Sequence, residues 1–227
     1  MRIDHLMWGA PDLESGIEEI ERLLEIRAIA GGAHTGLGTR NALVAFDDGA
    51  YLEIIAPDPD LAEPVSFGAR LSGLEQGGLV TWAAGSDDLV ALGAQFKARG
   101  LGVRGPREMA RITPQGLRLN WSLLFVHGHS FGNRLPFFID WQGSAHPGTS
   151  SPICGALTSL SVRGADVVAL AGLLESVDTR VRFEHAELSE LVAVIDVPVQ
   201  RAGAGGRKSP GRRIELTSTP DTLRLQL

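Results

Sequence analysis

The segment RIDHLMWGAPDLESGIEEIERLL, residues 2–24, joins a predicted strand to a predicted helix. Residues 2–10 form a largely apolar run, which is typical of a buried strand. Pro11 and Asp12 follow, and both suit the first turn of a helix, because proline tolerates that position and a carboxylate complements the helix dipole. His5 lies in the middle of the apolar strand. Each ring nitrogen of a buried histidine needs a partner, which is a carbonyl, a carboxylate or a metal.

Three more strands follow this strand and helix. Strands are predicted over Asn41–Phe46 and Tyr51–Ala56, and Asp47-Asp48-Gly49 between them is a tight hairpin signal. The short stretch 33–38 is counted as the second strand of the unit. The order of elements is therefore β-α-β-β-β.

The same order is predicted twice more, with a period of about 75–78 residues. The second unit has one strand, one helix and three strands: Gly78–Ser86, Asp87–Gly100, Val103–Thr113, Leu117–Val126 and Pro136–Trp141. The third unit has the same order: Leu157–Val162, Asp166–Glu175, Arg180–Glu184, Leu188–Val197 and Arg213–Ser218. One helix for every four strands favours an α+β fold over a doubly wound parallel sheet. The basic segment 202–213 is expected to be a solvated hairpin connection.

Composition narrows the class of protein. The 227 residues carry a net charge of −6, which argues against nucleic acid as a partner. Cys154 is the only cysteine, so an intrachain disulfide is excluded and a reducing compartment fits. No run approaches the roughly 18 apolar residues that span a bilayer, and no leader pattern is evident. We therefore expect a cytoplasmic protein with no membrane partner.

Four short motifs occur in the order of a known superfamily. They are IDHLMWGAPDL (3–13), GGAHTGLGTRNAL (31–43), YLEIIAP (51–57) and PFFIDW (136–141), the last with a following His-Pro. The sequence resembles the vicinal oxygen chelate superfamily, and within it the glyoxalase-like group. The resemblance implies a curved, partly open barrel with a site in its concavity. Units 1–57 and 78–145 would pair in a domain over residues 1–145, and residues 153–227 would form a third unit.

The resemblance also implies metal-ligand positions on the first and fourth strands of each unit. The first-strand positions hold His5 and Thr81, and the fourth-strand positions hold Glu53 and Asp140. Thr81 departs from the pattern, and His146 is a candidate to replace it. A set of histidine and carboxylate ligands fits Mn²⁺, Fe²⁺, Ni²⁺ or Zn²⁺. The departure leaves open a three-ligand site, a substituted ligand or no metal.

Strand alternation predicts which side chains share a face. It places His5 on the side of Ile3 and Met7, and Asp140 on the side of Phe138. A buried carboxylate without a partner is costly, so it would be protonated, hydrogen-bonded or metal-bound. The alternative for His5 is an ordinary core histidine that is satisfied by hydrogen bonds.

The glycine-rich stretch between the first helix and the third strand offers ligand contacts. His34, Thr39 and Asn41 would lie at the mouth of the site, with His34 as an acid or base. Trp121 and Phe138 would line an apolar pocket. The alternatives are a histidine that caps a turn and aromatic side chains that pack in the core.

Two functions remain from the sequence, besides a purely structural module. The first is a divalent-metal-dependent lyase, isomerase or dioxygenase for a small oxygenated molecule, with Glu53 and His34 as catalytic residues. The second is a binding protein that sequesters a small molecule without catalysis, which Thr81 favours. The third unit has no fourth unit to pair with, so we also expect a homodimer in which it contributes to the interface.

Overall fold

The computed structural model describes residues 1–34, 36–113, 116–174, 176–198 and 211–225. Its strands are β1 (Arg2–Gly9), β2 (Ile29–His34), β3 (Thr39–Phe46), β4 (Tyr51–Pro57), β5 (Gly78–Gly85), β6 (Gly102–Ile112), β7 (Arg118–His127), β8 (Phe137–Asp140), β9 (Ile153–Arg163), β10 (Val181–Glu184), β11 (Glu190–Val197) and β12 (Arg212–Thr217). Its helices are α1 (Leu13–Leu24), α2 (Ser66–Leu71), α3 (Leu89–Ala98), α4 (Val167–Leu173) and α5 (Pro220–Arg224).

The strands form one curved sheet that does not close. Its order is β12-β11-β9-β3-β4-β1-β5-β8-β7-β6, while β2 pairs with β3 and β10 with β9. At its centre β1 runs parallel to β4 and antiparallel to β5, so β1 joins the first two units. This arrangement confirms the α+β fold of repeated β-α-β-β-β units.

Helix starts follow the acidic caps that the sequence indicates. Asp12 accepts a hydrogen bond from the Ser15 N–H at 2.8 Å, and Asp88 accepts one from the Ala91 N–H at 2.8 Å. Each bond satisfies a donor that the first helical turn leaves free. The first and second units therefore begin their helices at equivalent aspartates, which supports the repeat.

Three stretches differ from the sequence prediction or lie beyond it. The second strand is Ile29–His34 rather than 33–38, because Gly36 and Gly38 adopt positive φ angles of 80° and 65° in a turn. Helix α5 was not expected, since five residues give no periodic signal. Of the basic segment, residues 202–210 lie outside the described part of the chain, and β12 begins at Arg212.

The two faces of the sheet carry separate apolar clusters. The convex cluster lies under α1, α3 and α4 and includes Leu6, Trp8 and Phe138. The concave cluster lies under α2 and includes Met7 and Trp121. Both faces of β1 are therefore covered. No helix in the described ranges has the length and apolar content needed to cross a membrane.

The third unit packs back onto the first two. Its Leu160 and Leu191 belong to the same convex cluster as Leu6 and Trp8, and β9 pairs in parallel with β3. The dimer was expected because the third unit was thought to leave an apolar face exposed. The structure instead covers that face with the first two units. The homodimer itself stays a prediction, as does the division of the chain near residue 150.

A buried arginine links the second and third units. Arg134 Nη1 donates to Asp166 Oδ1 at 2.6 Å and to the Arg163 carbonyl at 3.2 Å, and Nη2 donates to Asp166 Oδ2 at 3.1 Å. Arg134 itself is buried. These bonds lower the pKa of Asp166, so the stabilisation is present above the ordinary aspartate pKa and is lost as the pH falls below it.

We expect Arg134→Gln to lower the free energy of unfolding by about 2 kcal/mol, because charge-assisted bonds are lost from a buried group. Urea denaturation at pH 7 measures this change. Arg213→Gln is the control, since its exposed pair with Asp196 should contribute less than about 1 kcal/mol. Equal effects of the two variants would contradict the prediction, as would an Arg134→Gln effect that does not diminish below about pH 4.

Candidate functional site

A bulge in β1 sets the orientation of the site. Ile3 pairs with Ala84 and His5 pairs with Ala83, so Asp4 is an extra residue on β1. The bulge interrupts the alternation of faces, and Ile3 packs in the convex cluster. Asp4 and His5 both point to the concave side. The expectation that Ile3 and His5 share a face is therefore corrected.

A mostly apolar pocket lies on the concave side and opens to solvent. Its volume is about 110 Å³, and its walls include Met7, Phe67, Trp121, Phe125 and Phe137. Apolar cavities of about 150 Å³ bind benzene, so this pocket encloses at most about one ring, and a larger ligand would extend through its opening. Its polar side chains are His5, His34, Asn41, Tyr51, Glu53 and Arg111.

Glu53 on β4 is the carboxylate of the pocket and is only 6% exposed. Its Oε1 accepts a hydrogen bond from Asn41 Nδ2 at 2.6 Å. Two imidazoles flank it, with His5 Nε2 3.6 Å from Oε2 and His34 Nε2 3.6 Å from Oε1. The carboxylate thus accepts a hydrogen bond from one amide and lies between two imidazole rings.

Thr39 orients His34 through the ring nitrogen that is farther from Glu53. Its Nδ1 lies 3.0 Å from Thr39 Oγ1, and its Nε2 lies 3.3 Å from Asn41 Nδ2. Burial lowers the pKa of His34, so the ring is neutral at pH 7. Because the Asn41 amide is a donor, we assign the proton to Nδ1, which donates to Thr39. Thr39, expected to contact a ligand, instead contacts His34.

Asp4 is a buried carboxylate that accepts hydrogen bonds from His5 and from two other side chains. His5 Nδ1 donates to its Oδ1 at 2.7 Å, and its Oδ2 accepts from His146 Nε2 at 3.2 Å and from Trp141 Nε1 at 3.1 Å. Burial raises the pKa of Asp4, but the hydrogen bonds from His146 and His5 outweigh this effect and hold the pKa well below its usual range. An ionised Asp4 fixes the His5 proton on Nδ1 and leaves Nε2 facing Glu53.

The fourth strand of the second unit presents different residues from those expected. Phe137 and Ile139 of β8 face the pocket, while Phe138 packs in the convex cluster. Asp140 is two residues after Phe138 and so lies on the same side of the strand. Its Oδ1 accepts a hydrogen bond from the Gln142 N–H at 2.9 Å. The structure therefore brings neither Phe138 nor Asp140 to the site.

Of the expected metal ligands, His5 and Glu53 lie side by side, but Asp140, His146 and Thr81 do not join them. His146 contacts Asp4 rather than Glu53, and Thr81 donates to the Asn133 carbonyl at 2.9 Å. Within the described residues, no three His, Cys, Asp or Glu side chains form a group that could hold a metal ion. The Asn41 amide also contacts both Glu53 and His34. The side chains as arranged do not fit a divalent ion.

Two site residues were missed by the sequence analysis. Asp4 adjoins His5 in the first motif, and that adjacency was its only signal. Arg111 of β6 lines the pocket, is 6% exposed, and donates from Nη1 to the Gly31 carbonyl. Arg111 is one of three arginines on β6, and nothing in the sequence distinguished it from Arg104 and Arg107.

Gly31 allows these groups to approach the backbone. A Cβ built at Gly31 would overlap Asn41 Oδ1 and lie 2.8 Å from Arg111 Nη1. Neither group can retreat easily, because both are buried. The glycine is therefore required for the packing of the site, and not only for contact with a ligand.

We expect Gly31→Ala to lower the free energy of unfolding by about 1–3 kcal/mol, because overpacking forces Asn41 and Arg111 to move. Thermal denaturation followed by circular dichroism measures the loss. Gly172→Ala is the matched control, since a Cβ there meets nothing within 4 Å. A Gly31→Ala protein as stable as the control would show that the site relaxes freely.

A family model described as a glyoxalase-like domain matches residues 3–177. A hypothetical protein from Staphylococcus aureus is similar in structure, with a TM-score of 0.65 and 18% identity over 83% of this chain and 87% of that one. Methylmalonyl-CoA epimerase from Streptomyces coelicolor, in complex with 2-nitronate-propionyl-CoA, has a TM-score of 0.45 and 20% identity over 65% of this chain and 99% of that one. The same enzyme from Mycobacterium tuberculosis has a TM-score of 0.42 and 22% identity over 60% and 84%. No curated protein matches the sequence.

Proposed function

This chain belongs to the glyoxalase-like domain family, within the vicinal oxygen chelate superfamily, and we propose that it is an enzyme that transfers a proton to and from a small oxygenated molecule. The observation that carries the proposal is Glu53, a buried carboxylate that lies between His5 and His34 in a mostly apolar pocket. The reaction class is that of an isomerase or a lyase.

Glu53 is the proposed general base. A proton transfer needs a positioned group within reach of the substrate and protected from bulk water. Glu53 takes a proton from a substrate carbon next to a carbonyl group, and the electron pair of the broken C–H bond moves onto the carbonyl oxygen. Return of the proton to carbon completes an isomerisation, whereas loss of a neighbouring group completes an elimination.

The two histidines have different proposed roles. His5 is proposed as a positioning residue through its ring, which Asp4 holds by Nδ1–H and which limits the space beside the Glu53 carboxylate, with Nε2 3.6 Å from Oε2. His34 is neutral and presents Nε2 toward Asn41 and Glu53. With its proton on Nδ1, His34 has none to give at Nε2, so its proposed role is that of a second base that accepts a proton from a substrate hydroxyl group. Asn41 keeps the Glu53 carboxylate in place.

The family resemblance also led us to expect a divalent metal ion at this site. We expect no saturable binding of Mn²⁺, Ni²⁺ or Zn²⁺ at this pocket, because Asn41 occupies the space between Glu53 and His34. Calorimetric titration of the purified protein and of the His5→Ala, Glu53→Gln double variant measures this. If the protein bound one of these ions stoichiometrically and the double variant did not, the hypothesis of a metal-dependent enzyme would be supported.

Sequestration of a small molecule is the second candidate function. The apolar walls of the pocket favour it, since they supply affinity without chemistry. In that case the polar side chains of the pocket would only orient the ligand. A protein that binds small carbonyl compounds but exchanges no protons with them would be a binding protein.

We expect the protein to catalyse exchange of a C–H proton with D₂O for a member of a panel of small ketones and 2-oxo or 2-methyl carboxylic acids. Glu53→Gln should reduce the exchange rate by about 10²–10⁴-fold, the usual contribution of a general base. Proton NMR follows the exchange. Glu18→Gln, on the exposed face of α1, is the control. If the Glu53→Gln variant still catalysed the exchange, Glu53 would not be the general base.

A further inference from the structure

We propose that Arg111 is a carboxylate-binding residue, so that the ligand of this pocket is a small organic anion with an apolar body. The inference rests on the proposed function only in assigning the pocket to a ligand, and it adds the chemical class of that ligand. The sequence analysis did not identify Arg111 as a site residue.

Arg111 is a buried cation with little compensation. It is 6% exposed and lines the pocket. In the described part of the chain it forms no ion pair, and its one hydrogen bond goes from Nη1 to the Gly31 carbonyl. A guanidinium carries five N–H donors, so most of its donors have no acceptor among the described residues.

Burial of an unpaired charge is costly, and proteins usually pair such a group or neutralise it. Arginine remains protonated in proteins, so neutralisation is not available to it. The planar guanidinium matches a carboxylate in a two-bond geometry. A bound carboxylate would therefore supply the acceptors and the negative charge that Arg111 lacks.

The rest of the pocket limits the kind of anion. Trp121, Phe125 and Phe137 leave room for an apolar group such as one aromatic ring or a short branched chain. Glu53 is the carboxylate among the lining residues, and it lies beyond ion-pair distance of Arg111. A carboxylate held at Arg111 would place its neighbouring carbon in the same pocket as the Glu53 base.

The alternative is that Arg111 only braces β6 against β2 through the Gly31 carbonyl. A brace needs no negative charge on the ligand. The two roles therefore differ in how the pocket treats a charged ligand and a neutral ligand of the same shape, which can be measured on the unmodified protein.

The test uses benzoate and benzamide as probes, because they have the same ring and differ in charge. Isothermal titration of the full chain at pH 7 should show benzoate binding at least about tenfold more tightly than benzamide, in keeping with a hydrogen bond to a charged group. Equal affinities, or tighter binding of benzamide, would overturn the proposal.

Two variants locate the preference. Arg111→Gln should remove the preference for benzoate, and Arg111→Lys, which keeps the charge, should retain part of it. A preference that survives in a folded Arg111→Gln protein would overturn the assignment to this residue. Glu53→Gln should keep the preference while losing proton exchange, so failure of the proposed reaction and failure of the carboxylate site give different results.

Discussion

The structure depends on β1, a strand paired along both edges and covered on both faces. Because β4 and β5 fix its register, the direction of each side chain on β1 is determined by its position in the strand. The bulge at Asp4 changes that direction once. It places two consecutive polar side chains, Asp4 and His5, on the concave face while Ile3 and Leu6 keep their places in the convex cluster.

The polar side chains of the concave face form two groups that meet at His5. Behind the ring, Asp4 gathers donors from His146 and Trp141 and remains charged although it is buried. In front of the ring, Glu53 is exposed to the pocket. Tyr51 stacks on His5 with ring centroids 4.6 Å apart, which restricts the ring further. The positions of these side chains are therefore fixed by contacts within the protein.

The elements of the fold were largely predictable, because helical and alternating periodicities are properties of local sequence. The orientation of the site residues was less so. The bulge at Asp4 adds one residue whose effect on alternation cannot be read from composition, and the four-residue β8 gives too few positions to decide which face Asp140 occupies. Glu53 was identified from the fourth-strand position that the family resemblance implies, and Asn41 from the glycine-rich stretch beside it. Arg111 was missed because its partners are distant in sequence.

The parallel pairing of β3 with β9 has a consequence for how the chain folds. Ala45 pairs with Ile153, and the Asp47 N–H donates to the Gly155 carbonyl at 2.9 Å. The edge of β3 is thus completed by residues made about 100 positions later, and contacts of such separation form slowly. Because β2 covers only the first part of that edge, the end of β3 at Ala45 and Phe46 lacks this partner until β9 has been synthesised. That interval is when a nascent chain is most open to mispairing and to capture by a chaperone.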